Sequence, residues 1–116
     1  MQYLLLIYEN EAARPSPGGD AHGKMMGDYH AFTQDIVAKG KFKSGDALEP
    51  TSTATTVRIQ GGKTLITDGP FAETREQLGG YYLVEAADLD EAIAIAARIP
   101  AARTGCIEVR PVVVHG

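Results

Sequence analysis

Six side chains in this 116-residue chain have the types and spacing for acid–base chemistry on an anionic molecule: Asp68, Tyr29, His30, Arg75, Glu108 and Arg110. Asp68 opens the turn Asp68-Gly69-Pro70-Phe71, where Pro70 fixes its own φ and pushes Gly69 away from the helical region. A carboxylate held at a strand end by a rigid turn is well placed to be a general base, or to orient one. His30 has an ordinary pKa close to neutrality and suits a proton donor or acceptor, with Tyr29 beside it as a second donor. Arg75 follows the turn, and an Arg fork matches a carboxylate. Glu108 and Arg110 lie two residues apart, so on a strand they share a face. These six are the candidate catalytic residues (Asp68, His30, Tyr29) and candidate substrate-binding residues (Arg75, Glu108, Arg110). Each also has a purely structural reading. Asp68 can bond the amides of its own turn. Tyr29 falls on the apolar stripe of a helix, and Glu108 with Arg110 can form an ion pair.

The elements that position these groups follow from periodicity. Gln2–Tyr8 reads as a strand that is apolar on both faces, with Tyr3, Leu5 and Ile7 opposed to Leu4, Leu6 and Tyr8. A loop of about a dozen residues follows, Glu9–Ala21, rich in Pro and Gly. His22–Lys39 has a helical stripe of Met25, Tyr29, Phe32 and Ile36, with Asp20 as its expected N-cap and Gly40 as its stop. Phe42–Leu48 reads as a short strand. Thr53–Gln60 and Lys63–Thr67 form a hairpin across Gly61-Gly62. Phe71 is expected to anchor the turn beyond it. Leu78–Ala86 is a further long strand. Asp88–Ile99 is a second helix, with Asp88 and Glu91 at capping-box spacing and Pro100 as its stop. Cys106–Val114 is the last strand.

This order predicts an α+β fold in one domain: a ferredoxin-like antiparallel sheet with two helices on one face and an inserted β-hairpin. Two helices cover one face only, while two strands are apolar on both. A second copy of the chain is therefore expected to cover the other face, as a homodimer, and to enclose the polar groups in a cleft.

Composition narrows the function classes. The chain is 44% hydrophobic and 22% charged, with a net charge of −4. It lacks the basic face of a nucleic-acid binder or of a protein that adheres to anionic membranes. The lone Cys106 has no internal disulfide partner, and the apolar run Tyr3–Tyr8 has neither the basic flank nor the cleavage site of a signal peptide, so a cytoplasmic location is expected. His22, His30 and His115 are not at metal-ligand spacing. No nucleotide or dinucleotide fingerprint occurs, so neither a metal nor a cofactor is expected.

The run Asp68-Gly69-Pro70-Phe71, then Glu73 and Glu76, then Gly79-Gly80-Tyr81-Tyr82, resembles the signature of the DGPF proteins, a branch of the YCII-related family. The likeness extends to Tyr3-Leu4-Leu5-Leu6-Ile7-Tyr8 and to Glu108-Val109-Arg110-Pro111, and so spans nearly the whole chain. The resemblance implies a small bacterial dimeric α+β barrel protein. In YCII-like relatives a helix-one histidine paired with an acid is the proposed acid–base couple. Counted back from Gly40, that position holds Tyr29 here, and His30 lies about 100° further round the helix. Two functions follow as expectations. One is a cofactor-free lyase or isomerase acting on a small anionic metabolite in a dimer cleft. The other is a non-catalytic ligand-binding or regulatory module linked to extracytoplasmic-function sigma factors.

Overall fold

The structure, a computed structural model, describes residues 1–115. Its strands are β1 (Gln2–Glu9), β2 (Phe42–Ala47), β3 (Thr55–Gln60), β4 (Lys63–Asp68), β5 (Gln77–Glu85) and β6 (Cys106–Pro111). Its helices are α1 (Asp20–Ala38) and α2 (Leu89–Ala96). Four strands form an antiparallel sheet in the order β2-β5-β1-β6, while β3 and β4 pair only with each other. This is the ferredoxin-like α+β arrangement with an inserted hairpin that the element order predicts.

Alternation along β1 sorts the two faces of the sheet. Tyr3, Leu5 and Ile7 are buried beneath the helices, with Leu5 fully so. They sit opposite Val84, Tyr82 and Gly80 of β5 and, in part, Val109 and Ile107 of β6. Phe32 and Ile36 of α1 and Ala92, Ile95 and Ala96 of α2 close this core. The Phe32 and Tyr82 rings meet edge to face at 5.1 Å between centroids. Leu4, Leu6 and Tyr8 point to the other face beside Leu83 and Tyr81, and there they are half-exposed. Among the described residues no helix lies over that face.

Local rules set most of the ends, and tertiary packing moves some of them. Asp88 caps α2 by accepting from the Glu91 amide at 2.9 Å, and the Glu91 carboxylate accepts from the Ala87 amide at 3.0 Å. Asp20 does not cap α1. It is the first helical residue, and Gly19 takes the N-cap position with no side-chain bond. At the first turn Asp20 still faces the positive end of the helix dipole. α2 stops at Ala96, short of Ile99, and Pro100 opens a short 3-10 turn over Pro100–Arg103. A proline at the start of such a turn loses no hydrogen bond.

The hairpin turns through Gly61 and Gly62, both with positive φ, 56° and 75°. It stands out from the body as an arm whose residues are almost all exposed. The molecule is a slab of 48 × 47 × 19 Å, its thickness little more than one sheet and one helix layer.

Candidate functional site

The alternation that buries Tyr3, Leu5 and Ile7 carries Glu9 to the same face, one step beyond the end of the core. The register of β1 against β5 slips there, between Ile7 and Tyr8, and leaves Gly79 as the extra residue of a bulge. Arg14, from the loop after β1, folds back so that its Nε donates to Glu9 Oε1 at 3.2 Å. Its guanidinium lies against Gly79, where any Cβ would collide with it. The bulge and the missing side chain together make room for a charged fork at the end of an apolar sheet.

Above this pair α1 presents Met25, Met26, Tyr29 and Thr33. Together they enclose a cavity of about 280 Å³, floored by Ile7, Tyr82, Gly79 and Gly80 and edged by Phe42 and Gly45 of β2. The cavity is formed by residues of one chain, between helix and sheet. Its polar groups are few and convergent, the usual composition of a small-ligand site. Glu9 and Arg14 are 18% and 26% exposed, so both charges are partly withdrawn from water. Burial pushes the Tyr29 phenol up to about 12, and the negative charge of Glu9 adds to the shift. Tyr29 therefore stays protonated across the physiological range. The Thr33 and Tyr82 hydroxyls share a 2.7 Å hydrogen bond in the cavity wall, while on the open face of the sheet the Tyr81 hydroxyl donates to Asp46 Oδ2 at 2.7 Å, which pushes the Tyr81 phenol up.

Of the six residues singled out from the sequence, Tyr29 lines this cavity. The other five lie elsewhere on the single chain. His30 is exposed on the outer side of α1. Asp68 is exposed at the end of β4, at the root of the arm, and Arg75 is exposed in the segment that returns from the arm to β5. Glu108 and Arg110 pair with each other at 2.9 Å on the open face of the sheet, where Tyr8 reaches Glu108 at 3.5 Å. Phe71 does not anchor its turn within the chain: it is 80% exposed. Glu9 and Arg14 carry the charge of the cavity, and neither stands out in a motif. The signal for Glu9 is its place in the Tyr3-Leu5-Ile7-Glu9 alternation, which ends a buried row on a carboxylate. Arg14 has no comparable signal, because its position depends on how the loop folds back.

Among the described residues no group of three or more His, Cys, Asp or Glu side chains is gathered as metal ligands would be. Among the same residues no helix is long and apolar enough to cross a membrane.

Comparison with known proteins agrees with the fold. A 5-chloro-2-hydroxyhydroquinone dehydrochlorinase from Burkholderia phenoliruptrix, solved in complex with 2,5-dihydroxybenzoquinone, superposes with a TM-score of 0.53 at 16% identity. The match covers 100% of this chain and 96% of that one. An uncharacterised protein of Rhizobium meliloti (strain 1021) is 38% identical over 117 residues, 99% of this chain and 94% of the relative. The family model of the YCII-related domain matches residues 1–115, and the chain belongs to that family.

Proposed function

We propose that this protein is a cofactor-free acid–base enzyme of lyase or isomerase type, working as a homodimer on a small anionic metabolite held in the cavity beneath α1. The observation that carries this reading is the convergence of Glu9, Arg14 and a proton-holding Tyr29 on one mostly apolar cavity.

Each residue then has a role. Arg14 takes the anionic group of the substrate. In doing so it exchanges Glu9 for the ligand, and Glu9 is left as a carboxylate beside the bound molecule. Glu9 removes a proton from a carbon next to a carbonyl. The electron pair of that C–H bond moves into a new carbon–carbon double bond. In an elimination the leaving group on the next carbon departs with its own bonding pair. In an isomerisation the proton returns at a different carbon. The Tyr29 phenol donates its hydrogen bond to the oxygen where charge develops, which its raised pKa allows at neutral pH. Met25 and Tyr82 give the cavity an apolar lining beside the base. The fold-level likeness to a dehydrochlorinase, an eliminating enzyme by name, is in line with this chemistry.

A thermal-shift screen of small carboxylates and phenolates tests it. Hits are expected with the wild type. They should be weakened by about 10-fold or more in Arg14→Met, from which the charged fork is gone. Tyr29→Phe should bind them nearly as well but turn over more slowly. If no compound stabilises the wild type, or if Arg14→Met responds equally, the site is not an anion-binding cavity and a regulatory role gains.

A further inference from the structure

The connection from β1 to α1 decides where Arg14 lies, and little in its own sequence fixes it. Glu11–Ala13 make one short 3-10 turn. Past Arg14 the chain runs through Pro15, Pro17, Gly18 and Gly19 with no strand or helix until α1 begins at Asp20. A connection of this composition has many conformations to lose on ordering. Asn10 closes the turn on itself: its side chain accepts from the Ala12 amide and its carbonyl from the Ala13 amide, both at 3.0 Å. Glu11 ties the turn to the body. Its amide donates to Gln77 Oε1 of β5 at 3.0 Å. Its carboxylate accepts twice from Thr51, from the backbone amide at Oε1 and from the hydroxyl at Oε2, both at 2.8 Å. Apart from the Arg14–Glu9 contact, segment 10–18 makes no other hydrogen bond among the described residues to a residue outside the connection.

We propose that Glu11 is a positioning residue of the site: it clamps the connection between β5 and Thr51, so that Arg14 is held against Glu9 and Gly79 beside the cavity. The proposal rests on the reading of Arg14 as the holder of the substrate's anionic group and adds what holds Arg14. The Arg14 amide donates to the Glu11 carbonyl at 3.1 Å, so Glu11 fixes the backbone from which the guanidinium hangs. The two carboxylate bonds are charge-assisted, a class roughly twice as strong as neutral ones, and both partners are half-buried. Thr51 opens a second 3-10 turn, Thr51–Thr53, and Pro50 before it supplies no side-chain cap. Its amide is one of the donors that such a turn leaves unpaired, and Glu11 caps it from a distant part of the chain. The same turn runs into Ala54, whose carbonyl accepts from the Gly69 amide at 2.7 Å. The Asp68–Phe71 turn is thereby linked through Ala54, Thr51 and Glu11 to Arg14, although Asp68 does not line the cavity.

Nitrogen-15 NMR of the full chain tests it through the exchange of the Arg14 Nε proton with water at mildly acidic pH. The resonance is assigned by its loss in Arg14→Met. In the wild type this proton, donated to Glu9, should exchange about 10-fold more slowly than that of an exposed arginine. Glu11→Ala should raise its exchange by about 10-fold. Glu11→Gln, whose amide oxygen still accepts from the Thr51 amide, should stay within about threefold of the wild type. Circular dichroism checks the fold. If Glu11→Ala does not fold, Thr51→Val removes the hydroxyl bond alone and should raise exchange by about threefold. Benzoate, as a probe carboxylate, gives the second readout. Its Kd should rise by about 10-fold in Glu11→Ala, and no further when Glu11→Ala is added to Arg14→Met, because both changes act through one group. A residue that merely stabilised the fold would weaken both backgrounds alike. The clamp is overturned by a wild-type Arg14 proton that exchanges freely, by one equally protected in Glu11→Ala and Thr51→Val, or by additive losses of benzoate. If protection falls as expected but the wild type binds no benzoate, the anion-binding reading is overturned and Glu11 remains the holder of Arg14.

Discussion

Tyr29 stands in the cavity wall with its phenol held at about 12, above an ordinary 10.0, by burial first and by Glu9 second. Folding thus favours the neutral phenol. Its contribution to stability is complete below pH 10 and is lost as pH rises toward 12. Two decades of pH are worth about 2.7 kcal/mol for a fully shielded group, and partial exposure brings this nearer 1–2 kcal/mol. Denaturant titrations of the wild type should therefore show a loss of that size between pH 10 and 12 that Tyr29→Phe does not share. If both fall in parallel, Tyr29 is solvated and its role as a neutral donor lapses. Gly79 makes a second residue-scale case. A methyl there meets the far end of a flexible arginine rather than backbone. Gly79→Ala should keep the fold and displace Arg14, so that it loses ligand stabilisation as Arg14→Met does. At this scale the sequence singled out Tyr29 through its place in the helix and through the family pattern. It passed over Glu9 and Arg14, because a charge gains meaning only when the sheet bulge and the loop bring it to a particular cavity.

Secondary structure was the most legible level, and the reason is visible in β1 and α2. A strand with two apolar parities, and a helix with Asp88 and Glu91 three apart, state their structure in local terms. The cap can be weighed directly. Asp88→Ala removes the acceptor for the Glu91 amide and should cost about 1 kcal/mol, read as a lower denaturation midpoint with an unchanged slope. Asp20→Ala should cost less, since Asp20 lies inside the first turn and makes only the dipole interaction. A loss at Asp20 as large as that at Asp88 would mean that Asp20 caps α1 in solution. The Asp68–Phe71 turn shows where local reading stops. Its geometry was readable from Gly69-Pro70, but the burial of Phe71 was not, because an anchor needs a surface and the single chain supplies none.

That missing surface is a property of the whole molecule. One face of the sheet is packed beneath α1 and α2, while Leu4, Leu6, Tyr81 and Leu83 line the other, with no helix of the described residues over them. The faces are independent enough to be tested apart. Leu83 is flanked by Leu4 on β1 and Ser44 on β2, while its neighbours Tyr82 and Val84 point into the core. In an isolated chain Leu83→Lys replaces a half-exposed side chain with one that can reach water, and the change should stay within about 0.5 kcal/mol. In a homodimer closed over this face the same lysine would be buried in each copy, at a cost of several kcal/mol. Leu83→Lys should then sediment as a monomer and melt below the wild type. The wild type's own melting temperature should rise with protein concentration, because association stabilises by mass action. Ligand stabilisation in the cavity beneath α1 should survive the substitution, since Leu83 lies on the opposite side of the sheet from Arg14 and Tyr29. A wild type with a concentration-independent melt, matched by Leu83→Lys, would show that the open face meets only water. The cavity within each chain would then be a complete site by itself.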